Sequence, residues 1–245
     1  MGRNKLKIAI MQPTFNPWLG YFDLIDYVDK FIFLDTVQLT RRSWQVRNKL
    51  KVNNQEYMFS LPIKKETNRD DEIISKMKMS DASRTKTKLY NLLQITYKKT
   101  KYYEEVDDFL RDVIFFQTEF LSKYNINIIK NIVLKLNIDT QTVPLSQTSF
   151  IQKSSKNDLI LDICKHFNTT EYISPLGSKD YLNNSINEFK NNGIKIYYQY
   201  YQHPIYRQTG DEFIPYLGIF DLLYNEGFEN SAKIIRSGRK YKRAE

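Results

Sequence analysis

The residues of this chain best suited to chemistry follow two short apolar runs. Gln12, Asn16 and Trp18 come after Ile8-Ala9-Ile10-Met11, and Asp35 closes Phe31-Ile32-Phe33-Leu34. Gln38, Arg41, Arg42, Arg47, Asn48 and Lys49 crowd the polar stretch beyond. Guanidinium groups pair with phosphates through a rigid fork, and an ammonium does so as a point charge. Amide side chains serve hydroxyls, and a carboxylate at a strand's end can take a proton. Further on, Ser174, Gly177 and Ser178 lie at a strand-to-helix junction, where backbone N–H groups could hold an anion. Asp221 sits on an otherwise apolar helical stretch, so its carboxylate must be paired, solvated or used. His203, before Pro204 and near Tyr206, suits general-base work better than His166, which falls near a helix end. The same residues also fit an ordinary buried strand–helix–strand unit with a solvated basic loop.

The elements that must position them are legible from periodicity. Residues 5–35 read as a strand, a loop broken at Pro13 and Pro17, a helix from Gly20 and a second strand. In a parallel sheet with helical crossovers both loops leave the same edge, so Gln12, Asn16, Asp35, Gln38 and the arginines could line one pocket. A hairpin follows: Trp44, Val46, Leu50 and Val52 lead to Asn53-Asn54, and Tyr57, Phe59, Leu61 and Ile63 return at period two. Ile73, Ile74, Met77 and Met79 suggest another short strand. Three helices are predicted over Ser80–Lys99, Tyr103–Phe116 and Glu119–Leu136. The first carries a basic side of Arg84, Lys86, Lys88, Lys98, Lys99 and Lys101, a surface for a polyanion or simply solvated lysines. Strands at Thr142–Leu145, Tyr172–Ser174 and Ile194–Tyr201 alternate with helices at Lys156–Phe167, Lys179–Asn192, Pro215–Tyr224 and Glu229–Ser237. The expected fold is α/β: a Rossmann-like, mainly parallel sheet with a β-hairpin and a helical insertion. It forms one composite domain, with an N-terminal α/β part (1–79), the insertion (80–136) and a C-terminal α/β part ending in a basic tail (137–245).

The 245 residues carry a formal net charge of +9, which favours anionic partners: phosphates, nucleotides, an RNA or a membrane surface. Part of that charge is local, in Lys233, Arg236, Arg239, Lys240, Lys242 and Arg243, which read as a solvated tail. No apolar run is long enough to cross a bilayer. Met1-Gly2-Arg3-Asn4-Lys5 leads into a short strand rather than a signal peptide, and Gly2 lacks the Ser or Thr that myristoylation favours. The single cysteine, Cys164, excludes an internal disulfide and sits on an apolar helical face with Ile160 and Ile163. A cytoplasmic location is expected. Two histidines in separate segments and one cysteine give no metal-ligand spacing, and no Gly-x-Ser-x-Gly elbow is present.

Gln12-Pro13, then Pro17-Trp18-Leu19-Gly20-Tyr21-Phe22, the strand ending in Asp35 and the Arg47-Asn48 pair together resemble the opening signature of the WbqC-like protein family. The resemblance runs on through Tyr172-Ile173-Ser174, Gly177 to Leu182, Tyr206-Arg207-Gln208 and Ile219 to Gly227. Three positions depart from it: Pro175 stands where the family usually has Gly, Ser178 where it has Ala, and Gly218 where it has Ser. The first stiffens the Ser174–Gly177 turn. The resemblance implies a role in bacterial O-antigen or other surface polysaccharide biosynthesis. The implied reaction is transfer of an acyl or aminoacyl group to a nucleotide-linked amino sugar. It adds Tyr21, Tyr181, Tyr206, Gln208 and Asn225 to the binding candidates. Arginines would take a diphosphate, Asp35 or Asp221 would deprotonate the amine, and amides and tyrosines would hold sugar hydroxyls. The donor would be a small acyl or aminoacyl compound, a charged tRNA or a carrier protein, and no resident cofactor is expected. Two other readings stay open. Strand, Pro-Thr, loop and helix also open the HIGH-motif nucleotidyltransferases, although Asn16 to Tyr21 here contains no histidine. A non-catalytic RNA- or polyanion-binding module is the third.

Overall fold

The computed structural model describes residues 6–244. The expectations placed on Met1 to Lys5 lie outside the described residues. In chain order the elements are β1 (Lys7–Met11), α1 (Leu19–Asp26) and β2 (Lys30–Phe33), then a hairpin of β3 (Arg47–Val52) and β4 (Gln55–Ser60). Helices α2 (Ala82–Tyr97), α3 (Tyr103–Ile114) and α4 (Leu121–Lys135) follow. The chain continues through β5 (Gln141–Pro144), α5 (Lys156–His166), β6 (Glu171–Pro175), α6 (Lys179–Leu182), α7 (Ile186–Asn191) and β7 (Lys195–Gln199). It closes with α8 (Ile219–Ser237) and β8 (Tyr241–Arg243).

The main sheet runs β5-β2-β1-β6-β7-β8, parallel except for β8, and the β3–β4 hairpin stands apart. Strand side chains alternate between two cores, as period two requires. Ala9, Phe31, Phe33 and Ile173 face the layer of α1, α4 and α8. Ile8, Ile10, Ile32, Tyr172 and Ile196 face Leu159, Ile163, Leu182 and Phe189 of α5 to α7. With both faces covered, β1 and β2 can be apolar along almost their whole length, as the sequence has them. The Rossmann-like, mainly parallel sheet with hairpin and intervening helices is therefore the fold. Asn53 (φ 49°) and Asn54 (φ 62°) both take the left-handed conformation, the requirement of a two-residue type I′ turn. Among the described residues no helix is long and apolar enough to cross a membrane.

Four local expectations need correction. The apolar run from Ile73 to Met79 is not a strand. Only isolated bridges form, Gln38 with Ile73, Ile63 with Met79 and Lys78 with Phe120, because this segment plugs the core as a turn while Ile74, Met77 and Met79 are buried. The helix expected over Lys179–Asn192 is broken at Asn183-Asn184-Ser185, side chains that compete for backbone hydrogen bonds, leaving α6 as a single turn. Lys86 does not join a solvated basic side: it is buried, and its Nζ donates to the carbonyls of Phe116 (2.6 Å) and Thr118 (2.9 Å). Nor is the basic end a loose tail. Arg236 pairs with Asp26, Arg239 pairs with both Asp23 and Asp26, and β8 pairs antiparallel with β7. The two last predicted helices are the two halves of α8, kinked at Gly227 (φ 68°, ψ 179°). A Cβ there would lie 2.7 Å from the Tyr102 ring.

Candidate functional site

The loop from Gln12 to Trp18, between β1 and α1, is the hub. Asn48 of the hairpin donates its side-chain N–H groups to the carbonyls of Phe15 (2.9 Å) and Asn16 (2.8 Å). Asn125 of α4 donates to the carbonyls of Pro13 (3.0 Å) and Gln45 (2.8 Å). Asn16, fully buried at φ 43°, accepts the Phe220 N–H on its Oδ1 (3.1 Å) and so caps α8 from across the molecule. Gly218 precedes that helix, and a Cβ on it would stand 2.0 Å from Asn16 Nδ2. Asn16 thus takes over the capping that a serine at position 218 would otherwise supply. Three separate elements hold the loop, so its shape is preset.

Cavities open on both sides of this loop. One, of about 670 Å³, lies between the carboxyl ends of β1 and β2 and the amino end of α5. Gln12, Thr36, Gln38, Gln152, Ser155, Lys156 and Asn157 are its polar lining. The other, of about 380 Å³, lies against α1 and the hairpin; Met11, Trp18, Tyr21, Trp44 and Tyr216 wall it, with Asn48 and Lys49. A third, of about 370 Å³, contains Asp35 with Ser122, Ser146, Lys123 and Lys130. The expected single pocket is thus divided. Gln12 and Gln38 share the first cavity, while Trp18, Tyr21, Asn48 and Lys49 share the second. Asp35 opens on the third, and Arg47 lines none of the three.

The candidate acids and bases are held closely. Asp35 is buried and accepts from the Ser146 N–H (2.9 Å), the Ser146 hydroxyl (2.6 Å) and the Ser122 hydroxyl (3.1 Å). Asp221, fully buried, accepts from the Tyr97 hydroxyl on Oδ1 (3.0 Å) and the Tyr206 hydroxyl on Oδ2 (2.8 Å). Burial pushes its carboxyl up to about 6, against the pull of those hydroxyls and of Lys51. His203 has both ring nitrogens engaged: Nδ1 lies 2.9 Å from the Pro204 carbonyl and Nε2 accepts the Tyr216 N–H at 3.1 Å. Desolvation lowers its pKa, which matches the neutral tautomer these contacts require.

Other candidates act as clamps. Gln208 exchanges two hydrogen bonds with the backbone of Ile214, both 2.8 Å. Asn225 donates to the Asp221 carbonyl (2.7 Å) and accepts from Thr209 (3.2 Å). Ser174 and Ser178 are buried, and the single-turn α6 follows them. The Tyr181 side chain lies outside the described residues. Arg41 pairs with Glu72 (3.1 Å), and Arg42 is exposed at φ 56°. Lys156, Asn157, Trp44 and Tyr216 were not among the sequence candidates. Trp44 reads as a strand residue and Tyr216 as the start of a helix, yet both lie in turns.

Comparison with known proteins adds three findings. The model of the WbqC-like protein family matches residues 12–233. An uncharacterized protein of Mycobacterium tuberculosis is 27% identical over 225 residues, covering 91% of this chain and 95% of the relative. No solved structure matches.

Proposed function

Since the chain belongs to the WbqC-like protein family, we propose that it is a transferase of bacterial surface polysaccharide biosynthesis. It works in the cytoplasm and places an acyl or aminoacyl group on a nucleotide-linked amino sugar. The supporting observation is the crevice of about 670 Å³ at the carboxyl edge of the parallel sheet. Open α/β sheets bind nucleotides outside the carboxyl ends of their strands, and the volume falls in the range of small-molecule sites, about 300–1,000 Å³. Lys156, at the amino end of α5, supplies positive potential for phosphates together with the helix dipole. Gln12, Gln38 and Asn157 supply amides for ribose and sugar hydroxyls.

Of the two candidate bases, Asp35 is hydrogen-bonded to the Ser146 hydroxyl at 2.6 Å in the third cavity and does not line the crevice. Asp221, sealed by Tyr97 and Tyr206, lines none of the three cavities. The test is calorimetric titration with nucleoside-diphosphate amino sugars, then mass spectrometry of the sugar after incubation with acyl and aminoacyl donors. Binding weakened at least about tenfold by Lys156→Ala, with a mass gain on the sugar, is the expected result. Failure of every sugar nucleotide to bind the crevice sinks the assignment.

A further inference from the structure

Both tryptophans of the chain, Trp18 and Trp44, line the cavity of about 380 Å³ on the α1 side of the loop. With Met11, Tyr21 and Tyr216 they make its walls flat, aromatic and polarizable. The polar groups that face it are few and mostly committed. Asn48 spends its side-chain N–H groups on two carbonyls, and its Oδ1 accepts the Lys49 N–H at 2.8 Å. The Tyr21 hydroxyl donates to the Gln12 carbonyl at 3.0 Å. The Thr14 hydroxyl and the Lys49 ammonium remain. Lys49 gives a hydrogen to Glu56 Oε2 at 2.8 Å, and an ammonium has three. A sugar ring would bring several hydroxyls into a space with almost no partners for them. A flat apolar body with one negative charge matches what the walls offer.

The mouth is built at a cost. Tyr216 holds φ 59°, a left-handed backbone that non-glycine residues adopt only when the surroundings impose it. The imposing contact is its N–H bond to His203 Nε2 at 3.1 Å. The His203 ring lies nearly parallel to Trp18, with centroids 6.3 Å apart. Trp44 and Tyr216 stay 49% and 54% exposed, so two large aromatic rings stand open at the entrance. Strain spent to keep aromatic surface uncovered points to a ligand that covers it.

We propose that this cavity binds a small hydrophobic carboxylate or its acyl derivative, the planar body between Trp18, Trp44 and Tyr216 and the anionic head on Lys49. The role of donor pocket rests on the proposed function; the binding itself does not. Because every tryptophan of the chain lines the site, intrinsic fluorescence reads its occupancy directly. The probes are benzoate, benzyl alcohol, glucosamine and uridine, each titrated alone to about 10 mM. Benzoate is expected to change the emission saturably and to bind at least about tenfold tighter than benzyl alcohol. Glucosamine and uridine are expected to leave the emission unchanged. Lys49→Gln should bring benzoate down to the benzyl alcohol value, and Lys49→Arg should keep most of the preference; thermal melting checks that both variants fold. Equal binding of benzoate and benzyl alcohol overturns the proposal, as does saturable binding of uridine or glucosamine, or no saturable response to benzoate. No sugar nucleotide enters this titration, so its failure and failure at the crevice are distinguishable.

Discussion

Replacing Asp221 by Asn should change how stability depends on pH, by an amount the structure supplies. The carboxyl is fully buried and titrates near 6 in the folded chain, against about 3.9 in an unfolded one. The folded state therefore holds this proton more tightly. Its contribution to stability is complete below about pH 4, is lost as the pH rises through about 6, and stays lost above that. A difference of about two pK units is worth roughly 3 kcal/mol. Asn carries no such proton and keeps an acceptor for one tyrosine hydroxyl and a donor toward the other. Urea unfolding of both proteins between about pH 4.5 and 8 isolates the effect, since groups such as the Arg-paired Asp26 cancel in the difference. The variant's stability relative to the parent should climb with pH across the lower half of this range, by about 2 kcal/mol, then level off. Tyr206→Phe removes a bond that lowers the Asp221 pKa, so the fall should extend to higher pH. A pH-independent difference, or one that declines as pH rises, would refute the assignment of a strained buried carboxylate.

Cys164 is fully buried and burial raises its thiol, so Ellman's reagent should find no reactive thiol in the native protein and one after urea. Arg239→Ala leaves the buried Asp23 with only Gln199 and Tyr241 as partners and should cost about 3 kcal/mol or more in urea titration. Asn16→Gly keeps the positive φ but removes the cap of α8, for a loss of about 1 kcal/mol. Gly218→Ser drives a Cβ into the Asn16 side chain and should cost about 1–3 kcal/mol alone. The double variant should cost less than the sum, since a serine at 218 can cap the helix once Asn16 is gone.

Local features were legible because their causes are local. Asn53-Asn54 between alternating apolar residues can hardly be anything but a tight hairpin, and the apolar runs at 8–11 and 31–34 announce strands covered on both faces. The sequence also required Asp221 to be paired, solvated or used but could not say which. Tyr97 lies 124 positions away and Tyr206 fifteen, brought together by the packing of α2 and α8 in one core. The partition of the loop's surroundings into separate cavities was hidden for a like reason. Which side of the β1–α1 loop a residue faces depends on clamps from Asn48, Asn125 and Phe220, each made over long sequence distances. Tyr216 looks helical by its neighbours, yet its conformation is set by a histidine thirteen residues earlier.

One pairing has a consequence for how the fold closes. Asp23 lies at zero exposure inside α1, and the guanidinium that balances it arrives 216 residues later. Gln199 of β7 and Tyr241 of β8, which also bond its carboxylate, arrive late as well, so Asp23 is sealed only as its counter-charge is delivered. Closing of the β7–β8 edge and neutralisation of the buried charge are therefore one event, which couples α1 to a segment 216 residues away.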